Sequence, residues 1–388
     1  MRFTICSIFI IIFFMACDKG DDGSPEYLPP LSGVTTLEMS FGAENIPDEY
    51  IIFRVRGISV THQGDICISQ GCNVIVYDSN GNPKVILGHE GQGPGDFREA
   101  RNSNVSSAGY LSVKAGKSGI FNIYSPQLDF IKTENLQNKM HYSRFISEMS
   151  RGSLNPLKLF AVNENDKVIT CTSTATSYKS PFYTYDMLLY EKNGKINLLA
   201  DYNSKSRVRA GRLTSEIPFF GGLNCAMLTG NRIIYTHADH DFTIENDHGY
   251  YFLHVVSLDN LSVKQIKHRY SPIKITKEKM EKYNFSSNGE IGRFLKQACD
   301  DKKYYPHIIG IYTDRNFAFV FTSDFRDIDG RREFPVDIFD LDTGKYIRSA
   351  YMGGFFTIRD GYAYTVGLNE EGFEEIQKLK IDPAVYGK

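Results

Sequence analysis

Short apolar stretches separated by turn residues run along most of the chain, and this pattern predicts a protein built mainly from β-strands. The clearest unit starts at Gly57, and its turns fall at Gly64-Asp65 and Asn80-Gly81-Asn82. Its predicted strands are Ile58–Val60, Ile66–Ser69, Asn73–Asp78 and Lys84–Leu87. Four short strands joined by tight turns are typical of one blade of a β-propeller.

The unit recurs along the chain, which is the signature of a repeat architecture. Copies two to six begin at Val105, Leu157, Leu223, Ile308 and Phe355. The sixth copy has only three strands of its own, and Thr35–Phe41, which belongs to no blade, can supply the fourth. An open array would leave unpaired strand edges, so this strand is expected to close the ring. The prediction is an all-β, six-bladed propeller of four-stranded antiparallel blades over residues 34–388. Seven blades is the alternative if the stretch from Tyr202 to Phe220 contains further strands.

One insertion, about residues 274–303, has helical rather than β periodicity and lies between blades four and five. Its apolar residues at helical spacing are Met280, Tyr283, Ile291, Phe294 and Leu295. The insertion is the most basic part of the chain. A solvated helical hairpin is one interpretation, and a docking surface for an acidic partner is the other.

Composition agrees with many short strands, with 24 Tyr, 27 Phe, 33 Gly and no Trp. A net charge of -2 over 388 residues gives no general attraction to nucleic acid. Five cysteines follow the N-terminal segment, an odd number that implies no disulfide framework. They are Cys67, Cys72, Cys171, Cys225 and Cys299.

The N-terminus predicts export. Arg2 precedes an apolar run from Phe3 to Met15 that is too short to cross a bilayer and has the features of a secretory signal. Phe14-Met15-Ala16-Cys17 resembles a bacterial lipobox, which implies a signal peptide over residues 1–16 and a lipid on Cys17. Residues 17–33 are polar and rich in Gly, Pro and Asp, so they are predicted to form a flexible tether. The order of charges after Cys17 resembles the surface-export signal of Bacteroidetes lipoproteins. We therefore expect an outer-membrane lipoprotein of the bacterial envelope; surface exposure, a periplasmic orientation and ordinary secretion stay open.

A glycine-rich segment follows the first blade, and the residues concerned are Gly88, Gly91, Gln92, Gly93, Pro94, Gly95 and Asp96, followed by Phe97. It resembles the signature of the six-bladed β-propeller lipoproteins of Bacteroides and relatives, a family similar in architecture to NHL-repeat propellers. The resemblance implies the propeller fold and no assigned activity. A phosphate loop is excluded because neither a Gly-Lys-Ser/Thr end nor a helix follows. The glycines are expected to permit tight backbone geometry between blades, or Gln92 and Asp96 to line the mouth of the channel.

The candidate chemistry is sparse. His237, Asp239 and His240 combine imidazole and carboxylate groups, as a divalent metal site requires, but their spacing matches no zinc motif. Polar residues are also expected in such a loop, and no cofactor is predicted otherwise. A second option is an anionic ligand at the channel mouth, held by Arg98, Arg101, Arg207, Arg209 and Arg212.

The leading functional hypothesis is a non-catalytic, envelope-anchored propeller, expected to be a monomer, that binds an unidentified envelope protein, glycan or peptide but no nucleic acid. The first alternative is a metal-assisted lyase or hydrolase with its site at the channel mouth. The second is a scaffold that docks another envelope component through the basic insertion.

Overall fold

The computed structural model describes residues 29–388 except 45, 117–118, 176–183, 211–212, 217–218, 279–289, 301 and 329. The predicted signal peptide, Cys17 and most of the predicted tether lie outside the described residues. Within the described ranges, no helix is both long and apolar enough to span a membrane.

Six antiparallel sheets form the body of the molecule, one for each predicted blade. Blade one contains β2 (Gly57–Val60), β3 (Ile66–Gln70), β4 (Asn73–Tyr77) and β5 (Pro83–Leu87). Blade two contains β6 (Ala100–Val105), β7 (Leu111–Ala115), β8 (Ile120–Tyr124) and β9 (Phe130–Asn135). Blade three contains β10 (Arg151–Ala161), β11 (Lys167–Ala175), β12 (Thr184–Lys192) and β13 (Lys195–Ser204).

Blades four and five each carry one short extra strand. Blade four contains β16 (Leu223–Leu228), β17 (Arg232–His237), β18 (Phe242–Glu245), β19 (His248–Ser257) and β20 (Val263–Tyr270). Blade five contains β21 (Ile308–Asp314), β22 (Phe317–Thr322), β23 (Arg326–Ile328), β24 (Arg331–Asp340) and β25 (Lys345–Gly353). Blade six contains β26 (Thr357–Arg359), β27 (Tyr362–Leu368), β28 (Glu374–Ile381) and β1 (Thr35–Phe41).

The predicted six-bladed fold is confirmed, and two of its details change. The stretch from Tyr202 to Phe220 does contain strands, β14 (Arg207–Ala210) and β15 (Leu213–Glu216), but they form a separate hairpin and not a seventh blade. Helix α1 (Met140–Glu148), between blades two and three, was not predicted. Helix α2 (Glu290–Asp300) lies in the predicted insertion between blades four and five and packs against the β14–β15 hairpin. The first part of that insertion lies largely outside the described residues.

The ring closes through the first strand of the chain. Strand β1 pairs antiparallel with β28, from Thr35 opposite Ile381 to Phe41 opposite Ile376. Both isoleucines are buried, and Lys378 Nζ lies 3.1 Å from Glu38 Oε1 across the same ladder. Leu31 adds a contact to blade five, where its N–H donates to the Ser349 carbonyl at 3.0 Å.

Apolar side chains fill each interface between neighbouring blades. Six buried clusters lie between blades one and two, two and three, and so on round to six and one. Because a blade is covered on both faces, its central strands are buried throughout, as Val74–Tyr77 of β4 are. A short run of consecutive apolar residues is therefore the pattern expected of a central blade strand.

The two faces of the ring differ strongly. Successive strands of a blade alternate in direction, so the connections between the first and second and between the third and fourth strands lie at one face, which we call the turn face. There the connections are only two to five residues long. The longer connections that the structure describes, helices α1 and α2 and the β14–β15 hairpin lie at the opposite end of the strands, which we call the loop face. Segments that carry binding function concentrate on such loops.

Ring closure predicts a large effect of removing β1. A chain that begins at Gly42 would leave β28 as an open edge and uncover the apolar clusters on both sides of blade six. We expect its melting temperature in calorimetry to fall by more than about 10 °C or the chain to aggregate. A control chain that begins at Val34 keeps β1 and loses the Leu31 contacts and the hydrogen bond from Arg326 to Ser32, and it should melt within a few degrees of the intact protein. Equal melting of both truncated chains would contradict closure by β1.

Candidate functional site

Hydrogen bonds within the glycine-rich loop after blade one stabilise its conformation. Phe97 N–H donates to the His89 carbonyl at 2.9 Å, and Gly93 N–H donates to Asp96 Oδ2 at 2.9 Å. Gly88 has φ +67°, and a Cβ there would lie 2.5 Å from the Gly95 carbonyl oxygen, so no other residue fits at position 88. Gly95 also has a positive φ of +84°.

This loop carries Phe97 into the core between blades one and two, where the ring is fully buried. Gly91, Gln92, Gly93 and Asp96 line a separate cavity of about 560 Å³ beside blade two, together with Arg98. None of the loop residues lines the central channel. Of the loop glycines, Gly88 and Gly95 have positive φ, whereas Gly91 and Gly93 do not, and Gln92 and Pro94 are exposed at the loop face.

The side chains predicted to bind a metal are hydrogen-bonded to other groups of the protein. His237 Nε2 lies 3.2 Å from Asp186 Oδ2, and His237 Nδ1 accepts a hydrogen bond from Asp239 N–H at 3.2 Å. Asp239 Oδ1 accepts a bond of 2.6 Å from Lys302 Nζ, and its Oδ2 accepts one from Gly221 N–H at 2.8 Å. Both ring nitrogens of His237 and both oxygens of Asp239 are therefore engaged.

His240 completes the same connection, since its Nε2 lies 2.8 Å from the Asn203 carbonyl oxygen, and burial lowers its pKa. The three side chains thus join blade four to the crossover from blade three and to the basic insertion. Across the described part of the chain, no group of three or more His, Cys, Asp or Glu is placed to hold a metal ion. Metal binding at these residues is a prediction without structural support.

A second polar network lies between blades four and five. Asp337 accepts hydrogen bonds from Tyr251 Oη at 2.7 Å and Ser349 Oγ at 2.6 Å. The ring of His307 stacks on Tyr270 with centroids 3.9 Å apart, and neither of its nitrogens has a hydrogen-bond partner among the described residues. Burial lowers the pKa of His307 to about 4; nearby Asp337 partly opposes this decrease, and His268 lowers the pKa further.

This histidine makes stability depend on pH. Its folded pKa of about 4 lies below the ordinary 6.5, so its neutral form is the folded one, and stability is lost as pH falls from about 6.5 towards 4. Protonation of this one group would cost up to about 3 kcal/mol. His307→Phe keeps the aromatic stacking and should flatten the decline in denaturant-unfolding free energy between pH 7 and pH 4. The exposed-site control His248→Phe should follow the parent protein, and an unchanged decline in His307→Phe would contradict the assignment.

Exposed apolar side chains collect on the loop face around blades five, six and one. Their exposed fractions are 54% for Phe53, 49% for Phe325, 40% for Phe356, 66% for Leu368 and 53% for Phe373. All five lie in or next to connections at the loop face. We call these five residues the apolar rim. Exposed apolar groups that gather on one surface are typical of a binding surface.

The first strand of every blade lines the central channel. The cavity within the channel has a volume of about 140 Å³. Its charged lining residues are Lys158 on β10 and Arg359 on β26, and no acidic residue lines it. Neither cation was singled out from the sequence. The sequence shows only that each is a basic residue within the first strand of a blade. Basic residues also occur in the outer strands of blades, so this pattern does not identify a channel residue.

Two of the five arginines predicted at the channel mouth lie elsewhere, and the side chains of the other three are outside the described residues. Arg98 borders the cavity next to the glycine-rich loop, and Arg101 Nη2 donates to Glu99 Oε2 at 2.7 Å. The side chains of Arg207 and Arg209, and all of Arg212, lie outside the described residues. A basic cavity of about 790 Å³ in the insertion is lined by Lys274, Lys277, Lys296, Lys302 and Lys303 with Asp300.

Comparison with known proteins defines the fold class. No protein-family model matches the sequence, and no curated protein matches it significantly. The chain is similar in fold to a Bacteroides fragilis protein described as exported, with 11% identity, coverage of 90% of this chain and 96% of that one, and a TM-score of 0.50. A DUF4221 family member from Bacteroides vulgatus gives 13% identity, coverage of 90% and 98%, and a TM-score of 0.49. A streptogramin B lyase gives 11% identity, coverage of 90% and 98%, and a TM-score of 0.37.

These identities show the fold alone, and the structures with TM-scores below 0.5 carry no argument about function. The predicted likeness to Bacteroides six-bladed propellers is thereby confirmed at the level of architecture.

Proposed function

We propose that this protein is an exported lipoprotein of the bacterial envelope, anchored through Cys17, whose propeller binds an envelope partner at its loop face without catalysis. The observation that carries the proposal is the apolar rim on the elaborated face, opposite a face of tight turns. Large exposed aromatic groups lose water favourably on contact, which gives such a rim its binding energy.

Two further points support this function over an enzyme. His237 and Asp239, two of the metal-site candidates on which the enzyme alternative rests, have all their polar side-chain atoms engaged by the fold. A general base needs a free ring nitrogen or carboxylate oxygen near the substrate. Export is supported by the signal-like N-terminus and by the description of the Bacteroides fragilis protein of similar fold.

The anchor has a direct test. Cys17→Ala removes the sulfur that would carry the lipid, while the propeller begins beyond the predicted tether. We expect the parent protein to fractionate with membranes and to incorporate a labelled fatty acid, and the variant to do neither. A Cys17→Ala variant that still carries the label would contradict lipidation at Cys17.

The binding face is tested by photo-crosslinking in intact cells that express the protein. A photoreactive residue at position 325 or 373, in the apolar rim, should capture an envelope component. The control position is Leu261, which is 38% exposed at the turn face, and it should capture none. The double variant Phe325→Ser with Phe373→Ser should retain the fold by circular dichroism and lose at least tenfold in recovery of that component. Equal capture at positions 325 and 261 would contradict a specific loop-face interface.

A further inference from the structure

We propose that the central channel is a binding site for one small oxyanion, a carboxylate, sulfate or phosphate group, held between Lys158 and Arg359. This site does not require a partner at the apolar rim, although Phe356 of the rim also lines the channel. Both residues line the cavity of about 140 Å³ at the centre of the ring. At about 30 Å³ per water, that volume suits a small ligand or one ligand group and no polymer.

The ring places the two cations on opposite sides of the channel. Lys158 lies on the first strand of blade three and Arg359 on the first strand of blade six. In a ring of six, blades three and six are three steps apart and therefore face each other. The inner strands contact one another in the expected order, β2 with β6, β6 with β10, β16 with β21, β21 with β26 and β26 with β2.

No acidic residue of the lining balances these two cations. Lys158 Nζ makes no hydrogen bond or salt bridge to any residue that the structure describes. Its influence reaches the Cys225 thiol, whose pKa burial raises and whose charged form Lys158 favours. Arg359 has one acidic neighbour, Asp360, at 3.4 Å from its Nε, but Asp360 is outside the channel lining and its side chain is 57% exposed. Taking a cation out of water without a partner is costly, and a bound anion would remove that cost.

The neutral groups of the lining are also suited to an oxyanion. Ser59 Oγ, Ser103 Oγ, Asn104 Nδ2 and Arg359 Nε are buried and have no hydrogen-bond partner in the described part of the chain. All four belong to channel-lining residues. Each inner strand is the edge of its sheet, so further backbone N–H groups face the channel without a ladder partner. Hydroxyl, amide and guanidinium donors around an ammonium group are the usual ligands of carboxylate, sulfate and phosphate.

The test is calorimetric titration of the purified protein with inorganic phosphate, sulfate and acetate, each at constant ionic strength set with chloride. We expect saturable binding of at least one of these anions with one site per chain, and a melting temperature a few degrees higher than in chloride alone. Tighter binding of phosphate or sulfate identifies a tetrahedral ligand, and tighter binding of acetate identifies a carboxylate. Titrations that show no saturable heat, with melting temperatures equal to those in chloride, would overturn the proposal.

Substitutions assign the site. Lys158→Met and Arg359→Met should each weaken binding at least tenfold, and Lys158→Met should melt no lower than the parent protein without added oxyanion, since it removes an unpaired charge. The control Lys345→Met changes an exposed lysine of β25 and should bind as the parent does. If either methionine variant fails to fold, Lys158→Arg and Arg359→Lys, which keep the charge, are expected to keep binding within about threefold. Retention of full affinity in Lys158→Met would place the anion elsewhere and refute the assignment.

Discussion

Pairing of β1 with β28 is the constraint on which the rest of the structure depends. Every blade buries its two faces against neighbours, so the ring has no stable end until the first and last parts of the chain meet. Joining residues so distant in sequence carries a loop-closure cost that local contacts do not offset until late in folding. Once made, this ladder covers the outer edge of β28 and completes the sixth blade.

Several buried charges elsewhere in the ring have oppositely charged partners. Between blades two and three, Lys167 Nζ lies 3.0 Å from Glu191 Oε2, and Tyr142 Oη also donates to Glu191. These contacts hold the pKa of Glu191 below its usual range despite the opposing effect of burial. At the loop face, Asp239 and Lys302 form a similar pair. The contrast with Lys158 is physical, because a charge that the fold does not compensate is available to a ligand.

The two faces of the ring differ in the length of their connections. Tight turns at one face leave little surface that can vary without disturbing a blade. The other face carries the long crossovers, and there the His237 loop joins blade four to the insertion through Asp239 and Lys302. This attachment holds the insertion beside the ring, while the apolar rim extends over blades five, six and one of the same face. Rigid support beneath exposed aromatic groups favours binding because little conformational entropy remains to be lost.

The sequence alone determined the elements that depend on local pattern. Apolar runs between turns of Gly, Asn and Asp predict the blade strands, because strand and turn preferences act over a few residues. The strand at Thr35–Phe41, which belongs to no repeat, predicts how the ring closes. The sequence could not show that α1 forms, nor that strands in the Tyr202–Phe220 stretch make a hairpin and not a blade. The His237 cluster has the composition of a metal site, and only the contacts of Asp186, Lys302 and Gly221 reveal a structural connection.

Only the tertiary structure determines which side chains line the channel. Lys158 in Leu157-Lys158-Leu159 and Lys378 in Gln377-Lys378-Leu379 occupy similar local patterns within strands. Lys378 meets Glu38 across the closing ladder, whereas Lys158 enters a channel without acidic lining. Charge compensation depends on residues brought together from different blades, so the sequence sets which side chains are charged, and only the closed ring sets which of them lack a partner.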